Sequence, residues 1–222
     1  MFFENFCHQG SIMVEDIMVT LIRKDQLYTL KEKSGINCRE VNELLHKIKE
    51  YHKGIYQHSL NVAKLSALLA RQLNLSEIEI YTISIGALLH DIGKINLPPS
   101  ILNKQGKLNK NEWELIKKHP QLGVNIVSSF DWGKQLEPML LLHHERLDGK
   151  GYYGVLPGKI PLPARIISLT DAFDAMISPR SYQEQRNFQD CWIEIERCSG
   201  TQFDPDLLPG FNFVITRNKA KL

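Results

Sequence analysis

Apolar residues recur at helical spacing along much of this chain. Between residues 56 and 70, Val62, Leu65 and Leu69 fall on one face of a predicted amphipathic helix. Further helices are predicted over residues 76–89, 109–118, 121–130, 135–144 and 187–198 and after Pro163. There is no internal repeat and no strong alternation of apolar and polar residues of the kind that marks β-strands. The chain is therefore predicted to fold as an all-α bundle.

The N-terminal part of the chain carries a separate apolar pattern. Its apolar positions at roughly helical spacing are Ile12, Met13, Ile17, Leu21 and Ile22. We therefore predict a short N-terminal helical extension over residues 1–50 and one main domain over residues 51–222. The extension is too short for a complete sensory domain. It is predicted to pack on the main domain, with a homodimer contact or a contact with a regulatory partner as alternatives.

The segment ALLHDIGK ends one predicted helix with three chemically useful side chains. His90 and Asp91 are adjacent, and Lys94 follows them on the same face of a helix. The helix is predicted to end at Gly93 and Pro98. A carboxylate can bridge two metal ions while the neighbouring imidazole binds one of them. The segment therefore predicts a hydrolytic metal site.

Further candidate ligands lie in other predicted helical segments. They are His58, His119, His143, His144 and Asp171. Together with His90 and Asp91 they supply enough donors for two ions that share one carboxylate. Imidazole-rich ligation favours iron, manganese, zinc or a similar transition ion over magnesium or calcium, which prefer oxygen donors. Glu145 and Asp174 are candidates for orienting ligand histidines, although a salt bridge or a packing role fits each of them equally.

The order of these motifs resembles the HD-GYP branch of the HD phosphohydrolase superfamily. The matching segments are His58, HDIGK, KKHP with His119, HHERLDGKGYYG and LTDAFDAM, and they span about residues 57–211. The resemblance implies an HD-type helical bundle that hydrolyses cyclic di-GMP to linear pGpG, with GMP as a further product. It also implies that His58, His90, Asp91 and Asp171 hold one metal, and that Asp91, His119, His143 and His144 hold the other.

The same resemblance assigns residues to catalysis and to substrate binding. Lys94 and Asp91 are the implied catalytic residues, with Lys94 against the attacking hydroxide or a phosphate oxygen. The implied substrate-binding residues are Tyr152 beside the dinucleotide, Arg180 at a phosphate, and Gly149 and Gly151 in the loop. Two alternatives remain open: a phosphohydrolase for another cyclic dinucleotide or nucleotide, and a regulatory module that binds a cyclic dinucleotide without hydrolysing it. The complete set of candidate ligands favours the enzyme.

Three positions depart from the family pattern. Tyr153 takes the place of the proline in GYP, which restores a backbone N–H and adds a second ring beside Tyr152. Gly54 stands where some members have a glutamate that allows a third metal. We therefore expect two divalent ions, with iron or manganese first and zinc, nickel or cobalt as alternatives. Gln183 replaces a residue that is often basic, which leaves Arg180 as the expected phosphate contact.

Composition changes this picture little. Of the 222 residues 43% are hydrophobic and 23% charged, as in ordinary globular domains, and the net charge is +2. So small a charge argues against long nucleic acids as partners. The four cysteines lack CxxC spacing, and the N-terminus has neither a basic leader nor a long apolar run. We therefore expect a cytoplasmic protein with reduced thiols and no membrane insertion.

Overall fold

The computed structural model describes residues 14–22, 24–178 and 187–218. Its α-helices are α1 (Val14–Leu21), α2 (Lys24–Ser34), α3 (Cys38–Tyr51), α4 (Lys53–Gln72), α5 (Glu77–Leu89), α6 (Pro99–Leu102), α7 (Lys110–Ile116), α8 (His119–Val127), α9 (Gly133–Leu142), α10 (Leu162–Ile177), α11 (Phe188–Arg197) and α12 (Leu208–Asn218). Short 3₁₀ segments lie at Ile92–Asn96, Pro157–Lys159 and Pro205–Leu207. No residue in the described ranges belongs to a β-strand, which confirms the predicted all-α fold.

The helices α4 and α5 form the centre of the bundle. Helix α4 packs against α3, α5, α10 and α12, and α5 also packs against α9. Nearly every residue of α5 from Ile80 to Leu89 is buried, as expected for a helix that is apolar on all sides. Ser76 and Glu79 close its first turn as a capping box. The helix thereby delivers the HDIGK segment to the protein interior.

Most of the predicted helices are confirmed, with shifted ends. Ser76, Asn109 and Asn187 cap the starts of α5, α7 and α11, because their side-chain oxygens accept backbone N–H groups of the first turn. The helix predicted over residues 109–118 stops at Ile116, and α8 begins only two residues before the prediction, with a proline in its first turn where no N–H is needed. The apolar pattern does not predict α2, α3, α6 or α12.

Helix α5 ends at Leu89, the last residue of its predicted span 76–89, whereas the expected stop residues Gly93 and Pro98 lie beyond that end. Residues Ile92–Asn96 continue as a tighter 3₁₀ segment rather than as an α-helix that reaches Gly93. A Cβ at Gly93 would collide with the carbonyl oxygen of His119 and lie 2.5 Å from the nitrogen of Gly123. Only glycine permits this approach. The contact brings the start of α8 against the HDIGK segment.

The N-terminal helices share one hydrophobic core with the rest of the chain. In α1, Val14, Ile17 and Met18 are fully buried, and the helix packs against α2, α3 and α4. The indole Nε1 of Trp132 donates to Glu40 on α3 at 2.7 Å. Packing of this extension on the main domain is what its apolar pattern predicts.

The predicted domain boundary between residues 50 and 51 lies at the end of α3 and stays a prediction, as do the dimer and partner contacts. Ile12 and Met13, which the apolar pattern includes, lie outside the described residues. Within residues 14–22, 24–178 and 187–218, no helix has both the length and the apolar character needed to cross a membrane.

Candidate metal centre

The seven predicted ligands meet in one cluster near the end of α5. They are His58 in α4, His90 and Asp91 just after α5, His119 at the start of α8, His143 and His144 just after α9, and Asp171 in α10. His90, His119 and His143 are fully buried, and Asp91 is 1% exposed. Burying this many polar groups is costly unless they pair with one another or bind an ion.

One side of the cluster has four donors around Asp91. Single donor atoms of Asp91, His119, His143 and His144 all lie within 4.8 Å of one another. The Nε2 atom of His119 is 3.2 Å from Asp91 Oδ1 and 3.3 Å from His143 Nε2. These four residues are the set that the family resemblance implies for one of the two metals.

The other side of the cluster joins His58, His90 and Asp171 to the same aspartate. Donor atoms of His58, His90 and Asp91 lie within 4.8 Å of one another, and so do those of His90, His143 and Asp171. Asp171 Oδ1 is 2.9 Å from His58 Nε2 and 3.9 Å from His90 Nε2. The second implied ligand set is therefore brought together, with Asp171 facing His143 as well.

Asp91 lies between the two sides, and its two oxygens point to different partners. Oδ1 faces His119, whereas Oδ2 is 3.5 Å from His90 Nε2 and 3.9 Å from His58 Nε2. A carboxylate with one oxygen toward each group of donors has the geometry of a bridging ligand.

Backbone carbonyls orient three of the histidine rings. The Nδ1 atoms of His90, His119 and His143 each donate to a carbonyl oxygen three residues earlier, at 2.7, 2.8 and 2.8 Å. With the proton on Nδ1, each Nε2 is left as the metal-binding atom of a neutral imidazole and faces the cluster. Among the residues that the structure describes, His90 Nε2 is buried without a hydrogen-bond partner. Such an orphaned acceptor fits a metal ligand.

A carboxylate orients the fourth ring, and it belongs to Asp174, one of the two residues considered for this role. His58 Nδ1 lies 2.6 Å from Asp174 Oδ2, and Asn61 and Ser178 both donate to the other oxygen of Asp174 at 2.9 Å. Sequence reasoning missed Asn61, although its position three residues after His58 places both on one helical face.

Asp174→Asn is expected to weaken manganese binding to the metal-free protein by about 10- to 100-fold, because a neutral amide holds the His58 ring less firmly and makes it less basic. Calorimetric titration with Mn²⁺ measures the change. The exposed Asp131 provides a control of the same chemistry, Asp131→Asn, which should bind as tightly as the wild type. Equal affinities in the two variants would show that Asp174 does not support the site.

The residues of the cluster differ in the direction in which their pKa values are shifted. Burial opposes ionisation of Asp91 and Asp171, but Lys94 and the histidines hold the pKa of Asp91 well below its usual value, and His58 does the same for the pKa of Asp171. Burial lowers the pKa of His90 and His143, and it lowers the pKa of His144 to about 3. These three rings are therefore neutral and ready to bind a metal at neutral pH.

His58 behaves differently. Burial again opposes its charged form, but hydrogen bonds to Asp171 and Asp174 raise its pKa to about 9. Below that pH both ring nitrogens of His58 carry a proton, and Nε2 must lose its proton before it can bind a metal.

Manganese affinity of the site that includes His58 is therefore expected to rise with pH, by about tenfold per unit between roughly pH 6.5 and 8.5, since one proton must leave His58 when that site is filled. The sign follows from the raised pKa: the competing proton is bound more tightly than in a free imidazole. Anaerobic Mn²⁺ titrations at three pH values measure the slope. A constant affinity over this range would contradict the assigned charge of His58.

Lys94 contacts the central carboxylate, although not through the predicted α-helical face. Its Nζ lies 2.5 Å from Asp91 Oδ2. The 3₁₀ segment stacks residues three apart almost directly over one another, so Lys94 still reaches Asp91. The Lys94 side chain is 22% exposed and thus lies between the cluster and solvent.

The predicted substrate loop lies over the histidines. The Tyr152 ring is 4.5 Å from the ring of His144 and 6.2 Å from that of His119, measured between centroids. Burial, together with the carboxylates of Asp91 and Asp171, raises the pKa of Tyr152, which keeps its hydroxyl protonated. Trp113, which sequence reasoning missed, meets the Tyr152 ring edge to face at 6.1 Å.

Other predicted site residues have different outcomes. Gly149 adopts a φ of +70°, which favours glycine. Gly151 packs against Glu145 so closely that a Cβ would lie 2.6 Å from the Glu145 Cα. Arg180 and Gln183 lie outside the described residues. The suggestion that Glu145 orients a ligand histidine is wrong, because both of its oxygens accept backbone N–H groups of the loop instead.

The part of the chain that forms the cluster resembles known proteins. The sequence profile of the HD domain family matches residues 41–207. A cyclic di-GMP phosphodiesterase of Thermotoga maritima is 36% identical over 181 residues, covering 78% of this chain and 48% of that protein. The 3'3'-cGAMP-specific phosphodiesterase 3 of Vibrio cholerae is 37% identical over 150 residues, covering 67% of this chain and 33% of that protein. The chain thus spans half or less of the length of these relatives.

A solved structure shares the fold. The HDG"Y"P protein Bd1817 of Bdellovibrio bacteriovorus superposes with a TM-score of 0.60 and 22% sequence identity, covering 73% of this chain and 52% of that one. The family profile covers most of the described residues, and the motifs of the HD-GYP branch stand at the positions where the cluster forms. The chain belongs to the HD domain family, as its resemblance to the HD-GYP branch predicted.

Proposed function

We propose that this chain is a metal-dependent phosphodiesterase that hydrolyses a cyclic dinucleotide, with cyclic di-GMP as its main substrate and linear pGpG, then GMP, as products. The observation that carries the proposal is the cluster of five histidines and two aspartates around Asp91, which fits two ions. The relatives named as cyclic dinucleotide phosphodiesterases support the reaction class.

In this proposal the ligands divide around the central aspartate. His58, His90, Asp91 and Asp171 hold one divalent transition ion, and Asp91, His119, His143 and His144 hold the other. Two such ions supply an acidified water as nucleophile and neutralise charge on the phosphate during in-line displacement. The donor set favours iron or manganese, with zinc, nickel or cobalt as alternatives.

The remaining residues act on the substrate. Lys94, beside Asp91 and partly exposed, is placed to neutralise a phosphate oxygen as that oxygen gains charge. Tyr152 forms one wall of the site and offers its ring face to a base. Gly149, with its positive φ, and Gly151, packed against Glu145, shape the loop, and Arg180 is the proposed phosphate contact of the segment after α10.

A second candidate substrate is 3'3'-cGAMP. The Vibrio cholerae relative carries that specificity in its name. In addition, Tyr153 stands where the family motif has proline, and this residue is 45% exposed beside the proposed base-binding residue Tyr152. A change at this position is placed to alter which base the loop accepts.

The test is a hydrolysis assay on anaerobically purified protein. The protein is loaded with iron or manganese and given cyclic di-GMP, 3'3'-cGAMP or cyclic di-AMP in separate reactions, and the products are separated by chromatography. We expect linear product from cyclic di-GMP with the highest kcat/KM. Faster hydrolysis of another cyclic dinucleotide would identify that dinucleotide as the main substrate. Tight binding without product would identify a regulatory module.

A further inference from the structure

The Glu145 carboxylate is buried and takes no part in the ligand cluster, although it follows His144 directly. Its side chain is nearly inaccessible, with the residue 3% exposed. Oε1 accepts the backbone N–H of Tyr153 at 2.8 Å, and Oε2 accepts that of Val155 at 2.7 Å. Both oxygens of this buried carboxylate thus accept hydrogen bonds from one loop. Hydrogen bonds to an ionised carboxylate are stronger than those between neutral groups.

The start of the same loop is fixed independently. Arg146 forms a paired contact with Asp148, at 2.9 and 2.8 Å, and also donates to Gln202. The backbone N–H of Asp148 donates to the carbonyl of Thr201 at 2.8 Å. The first turn of the GTQFDPDLL segment thus holds the loop in place up to residue 148. Beyond that point Glu145 accepts two backbone hydrogen bonds from the loop, and the Tyr153 hydroxyl donates a longer one, at 3.5 Å, to the carbonyl of Lys117.

Glu145 acts on the part of the loop that carries Tyr152. Gly151 rests against its side chain, with the position of an added Cβ only 2.7 Å from Oε2, and Tyr153 is bound to it through the backbone. The residues on both sides of Tyr152 are therefore held by one carboxylate, and the Tyr152 ring between them lies 4.5 Å from that of His144.

The Tyr153 N–H exists only because this chain lacks the proline of the GYP motif. Proline would restrain φ and would have no hydrogen to donate. We propose that Glu145 is a positioning residue for substrate binding, and that its hydrogen bond to the Tyr153 N–H restrains the loop where proline does so in the family motif. The inference rests on the proposed function, which makes this loop the one that meets the dinucleotide.

The first test measures the loop itself and needs no substrate. Hydrogen–deuterium exchange followed by mass spectrometry reports on a peptide that covers residues 149–156. Glu145→Gln presents an amide N–H₂ to the loop in place of an acceptor, so exchange in this peptide should become about tenfold faster. Glu114→Gln, at an exposed surface pair with Lys117, is the matched control and should leave it unchanged. Equal exchange in both variants would overturn the proposal.

The second test asks whether the anchor depends on the residue-153 donor. Glu145→Gln is introduced into three backgrounds, namely the wild type with Tyr153, Tyr153→Ala and Tyr153→Pro. KM and kcat for cyclic di-GMP are measured with manganese in each background, with and without Glu145→Gln. In the wild-type and Tyr153→Ala backgrounds, which both keep the N–H of residue 153, we expect Glu145→Gln to raise KM about tenfold. In the Tyr153→Pro background we expect a rise of only about threefold. We expect kcat to change less than KM, because the ligand cluster is untouched. An equal rise in all three backgrounds would overturn the proposal.

The two tests also separate this inference from the proposed function. If exchange becomes faster in Glu145→Gln but the wild type hydrolyses no cyclic dinucleotide, the loop anchor stands and the function fails. If the wild type hydrolyses cyclic di-GMP and the exchange rate stays the same, the function stands and the anchor fails. Proline is the residue of the family motif at position 153, so Tyr153→Pro is expected to fold, and thermal melting checks this directly.

Discussion

Replacing Asp91 with asparagine is expected to lower kcat/KM for cyclic di-GMP by about a thousandfold or more, because two ions worth several kcal/mol to the transition state depend on this side chain. Asp91 belongs to both groups of donors, with Oδ1 toward His119 and Oδ2 toward His90 and His58. An amide has one weak acceptor oxygen and no charge, so it cannot bridge. It also leaves Lys94 without the carboxylate that it contacts.

The experiment compares Asp91→Asn with Asp131→Asn, an identical change at an exposed position. Bound manganese is measured by elemental analysis, and product formation is measured with the same metal supply. We expect the Asp91 variant to lose bound metal as well as activity, with the control retaining both. Full metal binding together with full activity in Asp91→Asn would rule out its role as the shared ligand.

Gly93→Ala is expected to destabilise the fold by about 3 kcal/mol and to lower the melting temperature by roughly 10 °C. The added methyl group would overlap the carbonyl oxygen of His119 and approach the nitrogen of Gly123 to 2.5 Å. Both neighbours are backbone atoms of α8, so no rotamer change can relieve the overlap. The helix has to move, and it carries His119 away from Asp91.

Thermal unfolding followed by circular dichroism tests this expectation. Gly158→Ala is the matched control, since an added Cβ there has no heavy atom within 4 Å and should leave the melting temperature unchanged. We also expect weaker manganese binding in Gly93→Ala, because the donor from α8 is displaced. A melting temperature equal to that of the control would mean that α8 can shift without cost.

The ligand cluster could be predicted from the sequence because its members stand in short motifs of unusual composition. His90 with Asp91 and His143 with His144 are adjacent pairs, and helical periodicity placed them near helix ends. The structure brings every one of these positions to the same place. The helical fold was predictable for a related reason: the apolar residues of α4 recur at the helical period.

The features that the sequence did not predict depend on contacts between distant segments. The change from α-helix to a 3₁₀ segment after Leu89 accompanies the close approach of α8 to Gly93, which periodicity does not report. The role of Glu145 depends on the path of a loop eight and ten residues further on. Trp113 contacts Tyr152 only because α7 lies beside that loop.

The way in which the histidine rings are held determines how the site tolerates sequence drift. Main-chain oxygens secure His90, His119 and His143, and a main-chain oxygen is present whatever residue supplies it. Random substitution at those supplying positions leaves the acceptors in place as long as the helix ends persist. The ring of His58 has no main-chain partner at Nδ1, because that atom contacts the side chain of Asp174 instead. Among these four rings, His58 is therefore the one whose orientation a single side-chain substitution, at Asp174, removes directly.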